Sequence, residues 1–273
     1  MERALPHLLS TTKLLRWEMA VLQKREGIVK VSVFAVVAVL ATGAVAHAQN
    51  TSVIAGGPHD LSNGSAVRNT NSNIDGQTCV FCHTPHSGSN TIALWNRAAP
   101  SGAAYQLYTS STSSVTTTAA ALASAGTGAC MSCHDGTIAL DVVTNVKGLP
   151  FGPAVAFTRQ GTAKSTYTTT GAGSNNVMSG GLPFLGTDLR NDHPVAIVYE
   201  TARAAKAAEF VTQVISGAKI TVGSTSPLPL FGSSTANATV ECASCHNAHN
   251  NSLGNFLRRS NTGSGMCLAC HIK

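Results

Sequence analysis

The sequence predicts a mostly irregular chain with a few short helices and minimal strand, folded around a core that side chains alone do not supply. Two observations lead to this prediction. Aromatic residues make up only 5% of the 273 residues, and stretches rich in Ser, Thr, Gly and Ala run through 110–128 and 161–181. That composition is typical of loops. Against it stands a five-residue pattern, Cys-x-x-Cys-His, which occurs four times and contains all eight cysteines.

The four patterns match the attachment sequence of c-type haem. In that sequence both thiols form thioether bonds with one porphyrin, and the His that follows ligates the iron. A zinc site or a disulfide framework is the alternative, but neither requires a His after every second Cys. We therefore expect four covalently attached c-type haems. The attachment cysteines are Cys79, Cys82, Cys130, Cys133, Cys242, Cys245, Cys267 and Cys270, and the proximal histidines are His83, His134, His246 and His271.

Four haems would also supply the missing core. Each porphyrin is a large, flat, apolar group, and its burial replaces the burial of side chains. The predicted fold class is therefore a haem-cored multihaem cytochrome c with long irregular connections.

The N-terminal segment has the order of a secretory signal peptide. Basic residues precede an apolar run, Val31–Val45, and the small-x-small sequence Ala46-His47-Ala48 follows it. The run is shorter than the ~20 residues that a membrane-spanning helix needs. We predict that 1–48 is cleaved, that the protein is exported, and that 49–273 is a single tetrahaem domain with no transmembrane segment. An uncleaved anchor is the alternative, and Met19 is a second candidate start.

Four histidines remain once the motifs and the leader are set aside, and four irons need a second ligand. His86 lies three residues after His83, too close to reach the far side of the same iron, so it should serve another haem. The same holds for His249 and His246. Met178 is the competing type of ligand. The spacing does not settle which iron each histidine serves. The predicted distal ligands are His59, His86, His193 and His249.

The two halves of the mature chain carry these features in the same order. Each half has an upstream His, then Cys-x-x-Cys-His-x-x-His, then a plain Cys-x-x-Cys-His. This order predicts a duplicated two-haem unit, with halves at 49–180 and 181–273.

Three segments carry a clear local pattern. Residues 200–219 are rich in Ala and have apolar residues at helical spacing, so a helix is predicted there, with Gly217 at its end. A weaker helix is predicted over Ala119–Ala125, closed by Gly126. Lys219–Val222 is predicted to be a short strand.

The chain resembles the extracellular tetrahaem cytochromes that polymerise into filaments, of the OmcE type. The resemblance is carried by Cys79–His86 followed by Leu94-Trp95-Asn96-Arg97, by Asp192-His193-Pro194, and by the order of the four motifs with four further histidines. It implies a head-to-tail homopolymer with a continuous row of bis-His haems, an extracellular location and redox partner cytochromes. It also implies that one axial His comes from the neighbouring subunit, and His59, near the mature N-terminus, is the candidate.

These features favour electron transfer over enzymatic catalysis. An iron held by two imidazoles has no open position for a small molecule. A discrete periplasmic tetrahaem carrier is the alternative to the filament. A multihaem reductase for nitrite or a related oxyanion, which would need a vacant iron position, and a zinc-binding structural protein are the alternatives from other classes. The sequence has no basic stripe and no recognition motif, so no nucleic-acid partner is expected.

Overall fold

A computed structural model describes residues 54–62, 67–69, 77–86, 88, 93–101, 105–140, 142–146, 149–150, 157–159, 167–170 and 177–272. The chain divides into two compact units, 1–49 and 50–273. The first unit lies outside the described residues, and with it the predicted leader at 1–48. Within the described ranges no helix is long and apolar enough to cross a membrane.

The helices described are all short. Four are α-helical and three are of the 3₁₀ type. The α-helices are α1 (Ala119–Ser124), α2 (Gly126–His134), α3 (Tyr199–Ala205) and α4 (Cys242–Cys245), and the 3₁₀ turns span Ala207–Glu209, Thr262–Ser264 and Cys267–Ala269.

Thirteen strands of two to five residues are described, against the expectation of minimal strand. They form six small separate sheets, of which only the pair β2–β8 is parallel. The strands are β1 (Val67–Asn69), β2 (Gln106–Leu107), β3 (Asn145–Val146), β4 (Leu149–Pro150), β5 (Phe157–Arg159), β6 (Tyr167–Thr170), β7 (Val177–Gly181), β8 (Asp188–Leu189), β9 (Ile197–Val198), β10 (Val214–Ser216), β11 (Lys219–Val222), β12 (Leu228–Leu230) and β13 (Thr239–Val240). The antiparallel pairings are β1–β5, β3–β4, β6–β7, β9–β13 and β10–β11–β12.

The predicted helix over Ala119–Ala125 is confirmed as α1. Its N-cap is Thr118, whose hydroxyl accepts a hydrogen bond from the Ala121 amide at 3.0 Å. α2 begins at once with Gly126 and continues through the second motif. Gly128 makes this close junction possible, because a Cβ there would lie 2.1 Å from the Ala123 carbonyl oxygen.

The predicted helix over 200–219 is wrong beyond its first turns. α3 ends at Ala205, a 3₁₀ turn follows at Ala207–Glu209, and the chain becomes extended from Phe210. The reason is tertiary: the Val211 amide donates to the Cys270 carbonyl at 2.9 Å, so this segment pairs with the fourth motif. Gly217, with φ +60°, turns the chain between β10 and β11 instead of ending a helix. The predicted strand Lys219–Val222 is confirmed as β11.

The side-chain core is built on the variable residues of the motifs. Phe81, Met131 and Ala269 are each 1% exposed, and each belongs to a different cluster of buried apolar residues. The largest cluster joins the inward faces of β11 and β12 to the fourth motif through Ala269. Three of the four motifs are therefore anchored by apolar packing beneath them.

Tyr199 connects the largest cluster to the fourth motif by hydrogen bonds. Its hydroxyl contacts the carbonyl oxygens of Val211 at 2.7 Å and Cys270 at 3.1 Å. We expect Tyr199→Phe to lower the free energy of unfolding of the holoprotein by about 1–3 kcal/mol, because the partly buried carbonyls of Val211 and Cys270 lose the hydroxyl that they share. Chemical denaturation followed by far-UV circular dichroism measures this. Tyr108→Phe is the control, since Tyr108 is exposed, and equal losses in both variants would contradict the assignment.

Candidate functional site

Each Cys-x-x-Cys-His motif forms one helical turn. The amide of the motif's His donates to the carbonyl of its first Cys at 2.8–2.9 Å in the first, third and fourth motifs, and the second motif lies within α2. Residues three apart on a helical turn share a face. Both thiols of a motif therefore point to the same side, as attachment to one porphyrin edge requires. All eight cysteines are described, and none forms a disulfide.

The thiols of the first and second motifs are neighbours, as are those of the second and third. Burial raises the pKa of Cys82 to about 12, and the nearby Cys133 adds to this effect. A hydrogen bond between Cys130 and Cys242 raises the pKa of Cys130 and lowers that of Cys242. The proton therefore stays on Cys130 in the chain before attachment.

The row continues to the fourth motif. Burial raises the pKa of Cys270 to about 12, and Cys245 of the third motif is the next cause. The attachment points of motifs one to four thus lie in chain order, each beside the next.

Three proximal histidines lie beside a histidine from outside the motifs. The ring centroids of the pairs are separated by 6.2 Å for His59 and His134, 6.0 Å for His83 and His249, and 6.4 Å for His193 and His271. Two imidazoles that ligate one iron from opposite sides, with metal–nitrogen distances of about 2.0 Å like those at zinc, have centroids about 6 Å apart. The donor sets of these three pairs therefore fit a six-coordinate haem iron.

The hydrogen bonds of the ring nitrogens suit ligation as well. In four histidines Nδ1 faces a backbone carbonyl, which can only accept, so Nδ1 carries the proton and Nε2 keeps its lone pair for a metal. These contacts join His134 to Pro183 at 2.7 Å, His246 to Asn255 at 2.7 Å, His193 to Pro194 at 2.9 Å and His59 to Ala248 at 3.4 Å.

The environment also keeps several of these rings neutral. Burial, followed by the nearby His134, lowers the pKa of His59 to about 4. Burial likewise lowers the pKa of His83 and of His134. A neutral imidazole is the form that binds a metal.

His86 and His246 differ from the other described histidines in their ring contacts. Both side chains are exposed, as are those of three other histidines. Within the part of the chain that the structure describes, neither makes a ring contact with another histidine, although His246 is close enough to His134 to lower its pKa, after burial. The sequence predicts His246 as the proximal ligand of its own motif and leaves open which iron His86 serves, and the structure does not bring His86 and His246 of one chain into ring contact.

The segment that follows the third motif, residues 247–257, contacts histidines of several pairs. The carbonyl of Ala248 lies 3.4 Å from Nδ1 of His59, and the Phe256 ring stacks on the same imidazole with a centroid separation of 4.3 Å and an angle of 11°. The segment also contains His249, the partner of His83. One loop therefore contacts His59 and supplies the partner of His83.

This loop adopts an unusual backbone. Gly254, Asn255 and Phe256 follow one another with φ values of +76°, +47° and +56°. Only the glycine adopts this region without steric cost, and such strain persists only where surrounding contacts hold it. Here the Asn255 carbonyl accepts from His246 at 2.7 Å. The strained turn thus aims a carbonyl at one histidine and a ring at another.

An open cleft of about 520 Å³ lies beside the fourth motif. Its volume falls within the ~300–1,000 Å³ that is usual for cofactor sites. The cleft is lined by Gly263, Ser264, Cys267, Leu268 and His271. Leu268 is 46% exposed, so an apolar face stands beside the attachment cysteines, as a porphyrin site requires.

Arg97 is a site residue that sequence reasoning did not single out. It is fully buried, and its guanidinium donates four hydrogen bonds of 2.7–3.1 Å to carbonyls, including that of Ser132 inside the second motif. It also lies close enough to Cys82 to lower that thiol's pKa against the larger effect of burial. Arg97 therefore links the first motif to the second.

The neighbouring Asn96 fixes the extension of the first motif. Its amide donates to the carbonyl of Val80 at 2.6 Å, and its oxygen accepts from the amide of Asn145 at 2.7 Å. The Asn145 side chain in turn donates to the carbonyl of His86 at 2.7 Å. This buried network holds the backbone of His86 while its side chain stays exposed.

Residues 235–273, which contain the third and fourth motifs, match the protein family described as "Doubled CXXCH motif". No curated protein matches the chain. The paired motif indicates a multihaem c-type cytochrome with covalently bound haem, a class whose members are generally exported and carry electrons.

We expect Arg97→Lys to destabilise the holoprotein by more than about 2 kcal/mol. The substitution keeps the positive charge, but one ammonium group cannot serve four carbonyls as the planar guanidinium does. Thermal and denaturant unfolding measure the loss. Arg190→Lys is the matched control, because Arg190 forms an exposed ion pair with Asp188 at 2.6 Å and should change the midpoint little. Similar midpoints for the two variants would contradict the role of Arg97.

Proposed function

We propose that the protein is a tetrahaem electron-transfer cytochrome whose irons are all bis-His ligated and whose subunits join head to tail into an extracellular conducting filament. One observation carries this proposal. The pairing of the histidines repeats between the two halves of the chain, and among the described residues only His86 and His246 make no ring contact with another histidine. Bound haem supplies one-electron transfer between ferric and ferrous iron, and the protein holds the imidazoles neutral and saturates the metal.

The upstream histidines follow the same rule in both halves. In the first half His59 lies beside His134 of the plain motif, and in the second half His193 lies beside His271 of the plain motif. In both halves the histidine upstream of the motifs therefore lies beside the histidine of the plain motif. This agreement supports the duplication of a two-haem unit at 49–180 and 181–273.

The remaining histidines follow a second rule, which links one half to the next. His249, in the second half, lies beside His83 of the first half. Applied once more, this rule pairs His246 of the second half with the equivalent histidine of a following first half. Among the described residues His86 of the same chain makes no ring contact with His246, and we assign this role to His86 of another copy.

This arrangement generates an open polymer. The pair His86 and His246 would join different surfaces of two subunits, and such a head-to-tail contact repeats without closing unless the rotation forms a ring. Both side chains are exposed, as such a contact requires. The Asn96–Asn145 network holds the backbone of His86 before association, which reduces the ordering cost of binding.

The proposal replaces His59 with His86 as the histidine given to the neighbouring subunit. His59 was expected to reach out because it lies near the mature N-terminus. In the structure its ring is stacked on Phe256 and lies beside His134 of its own chain. These contacts favour ligation within the subunit.

The pairing of His249 with the haem of the first motif can be tested by combining variants. We expect His249→Ala to produce one high-spin ferric haem, visible in the optical and electron paramagnetic resonance spectra, because that iron loses its sixth ligand. In a background that lacks the first haem (Cys79→Ala with Cys82→Ala), the same substitution should add no high-spin signal. A new signal in that background would assign His249 to another iron.

Polymerisation should depend on His86. Electron microscopy of the mature holoprotein should show thin filaments, and His86→Ala should leave discrete particles that still carry four haems by mass. His193→Ala is the matched control, because it removes a ligand that lies within the subunit and should leave filaments. Discrete particles from the native protein would favour the periplasmic carrier, and a high-spin band in native filaments would contradict the bis-His assignment.

A further inference from the structure

Glu241 is a buried acidic residue at the contact between the second and third motifs. It directly precedes Cys242 and is only 2% exposed. It is the N-cap of α4, where its side chain accepts from the Ser244 amide, while the Ser244 hydroxyl contacts the Glu241 amide at 3.0 Å. The carboxylate therefore closes the helical turn that carries the third motif.

The same carboxylate also caps the helix of the second motif. Oε2 accepts from both the amide and the hydroxyl of Thr127, at 3.0 Å and 2.5 Å. Thr127 lies in the first turn of α2, whose own N-cap residue, Ala125, provides no side-chain bond. The Cys242 amide donates back to the Thr127 hydroxyl at 3.2 Å. Two helical turns that are 114 residues apart in the chain thus share one capping group.

The partners of Glu241 are uncharged. Besides Thr127 and Ser244, Oε1 accepts from the Thr239 hydroxyl at 2.6 Å. Among the described residues no Lys or Arg forms an ion pair with it. Because the group is buried, its field is weakly screened by water and acts strongly on charges nearby. Its charge acts to raise the pKa of the Cys242 thiol, which the hydrogen bond from Cys130 lowers overall, so Glu241 lies close to this attachment point.

We infer that Glu241 is a positioning residue that fixes the second and third haems relative to each other and lowers the reduction potentials of both. Addition of one electron to a ferric iron removes one positive charge from the haem. A buried anion beside the haem stabilises the ferric state, so it makes reduction harder. The second and third haems would then have lower reduction potentials with a charged Glu241 than with a neutral residue at this position. This inference rests on covalent haem at motifs two and three.

The test is a redox titration of the holoprotein in which each haem is followed through its own methyl resonances in the nuclear magnetic resonance spectrum. Variants that lack one haem each assign the signals. Glu241→Gln keeps the shape and an acceptor oxygen but removes the charge. We expect it to favour reduction of the second and third haems about tenfold, which is about 59 mV for a one-electron couple, and to leave the first and fourth nearly unchanged.

Two control variants separate charge from packing. Thr127→Val removes the hydrogen bond from the Thr127 hydroxyl to the carboxylate, leaves the bond from the Thr127 amide and keeps the charge, so it should lower stability without the tenfold shift. Glu209→Gln removes an exposed carboxylate near the fourth motif, where the Glu209 carbonyl accepts from Ile272, and should leave all potentials in place. If Glu241→Gln moves no potential, or moves all four equally, the inference is overturned.

A second variant keeps the test decisive if Glu241→Gln does not yield holoprotein. Glu241→Asp retains the charge but draws it back from Thr127 by one methylene, so the potential of the second haem should rise while that of the third stays low. Unchanged potentials in this variant would overturn the inference. The mass of the native protein distinguishes failure of the proposed function from failure of this inference. Missing haem at motifs two and three contradicts the proposed function, whereas bound haem with unchanged potentials contradicts only the role of Glu241.

Discussion

The helical turn formed by each Cys-x-x-Cys-His motif is the local structure on which the rest of the protein depends. The hydrogen bond from the His amide to the first Cys carbonyl gives the turn two faces. Variable residues such as Phe81, Met131 and Ala269 are buried in apolar clusters, and Cys133 and Cys270 also pack against such clusters. The same few residues therefore carry the attachment thiols and contribute to the protein interior.

Buried polar residues then connect the turns to one another. A chain with few aromatic residues cannot hold its motifs by packing volume alone. Arg97 lies beside Cys82 of the first motif and donates to four carbonyls, one of them in the second motif. Glu241 joins the second motif to the third with several hydrogen bonds. The strained turn at Gly254–Phe256 adds contacts to His59 and His246. Directional bonds to the backbone suit this task, because a row of electron carriers depends on fixed separations.

Local patterns predicted the secondary structure only where local interactions decide it. The cap of α1 is a nearest-neighbour effect, so Thr118 and the alanine run were sufficient. The segment from Phe210 onward has the apolar spacing of a helix, yet it is extended because Val211 pairs with Cys270. A contact between residues so far apart leaves no periodic signal in either segment. The roles of Arg97 and Glu241 could not be predicted for the same reason, since their hydrogen-bond partners lie far away in the sequence.

The sequence by itself determined the chemistry: the spacing of cysteine and histidine specifies covalent haem, since the i, i+3 relation and the following His are properties of five consecutive residues. It also supplied the candidate ligands by count. Only the tertiary structure decided which histidines meet. His59 with His134, His193 with His271 and His83 with His249 are brought together by the path of the whole chain. The spacing of histidines in the sequence cannot predict these pairs, because long loops hardly restrict the position of a distant imidazole in the fold.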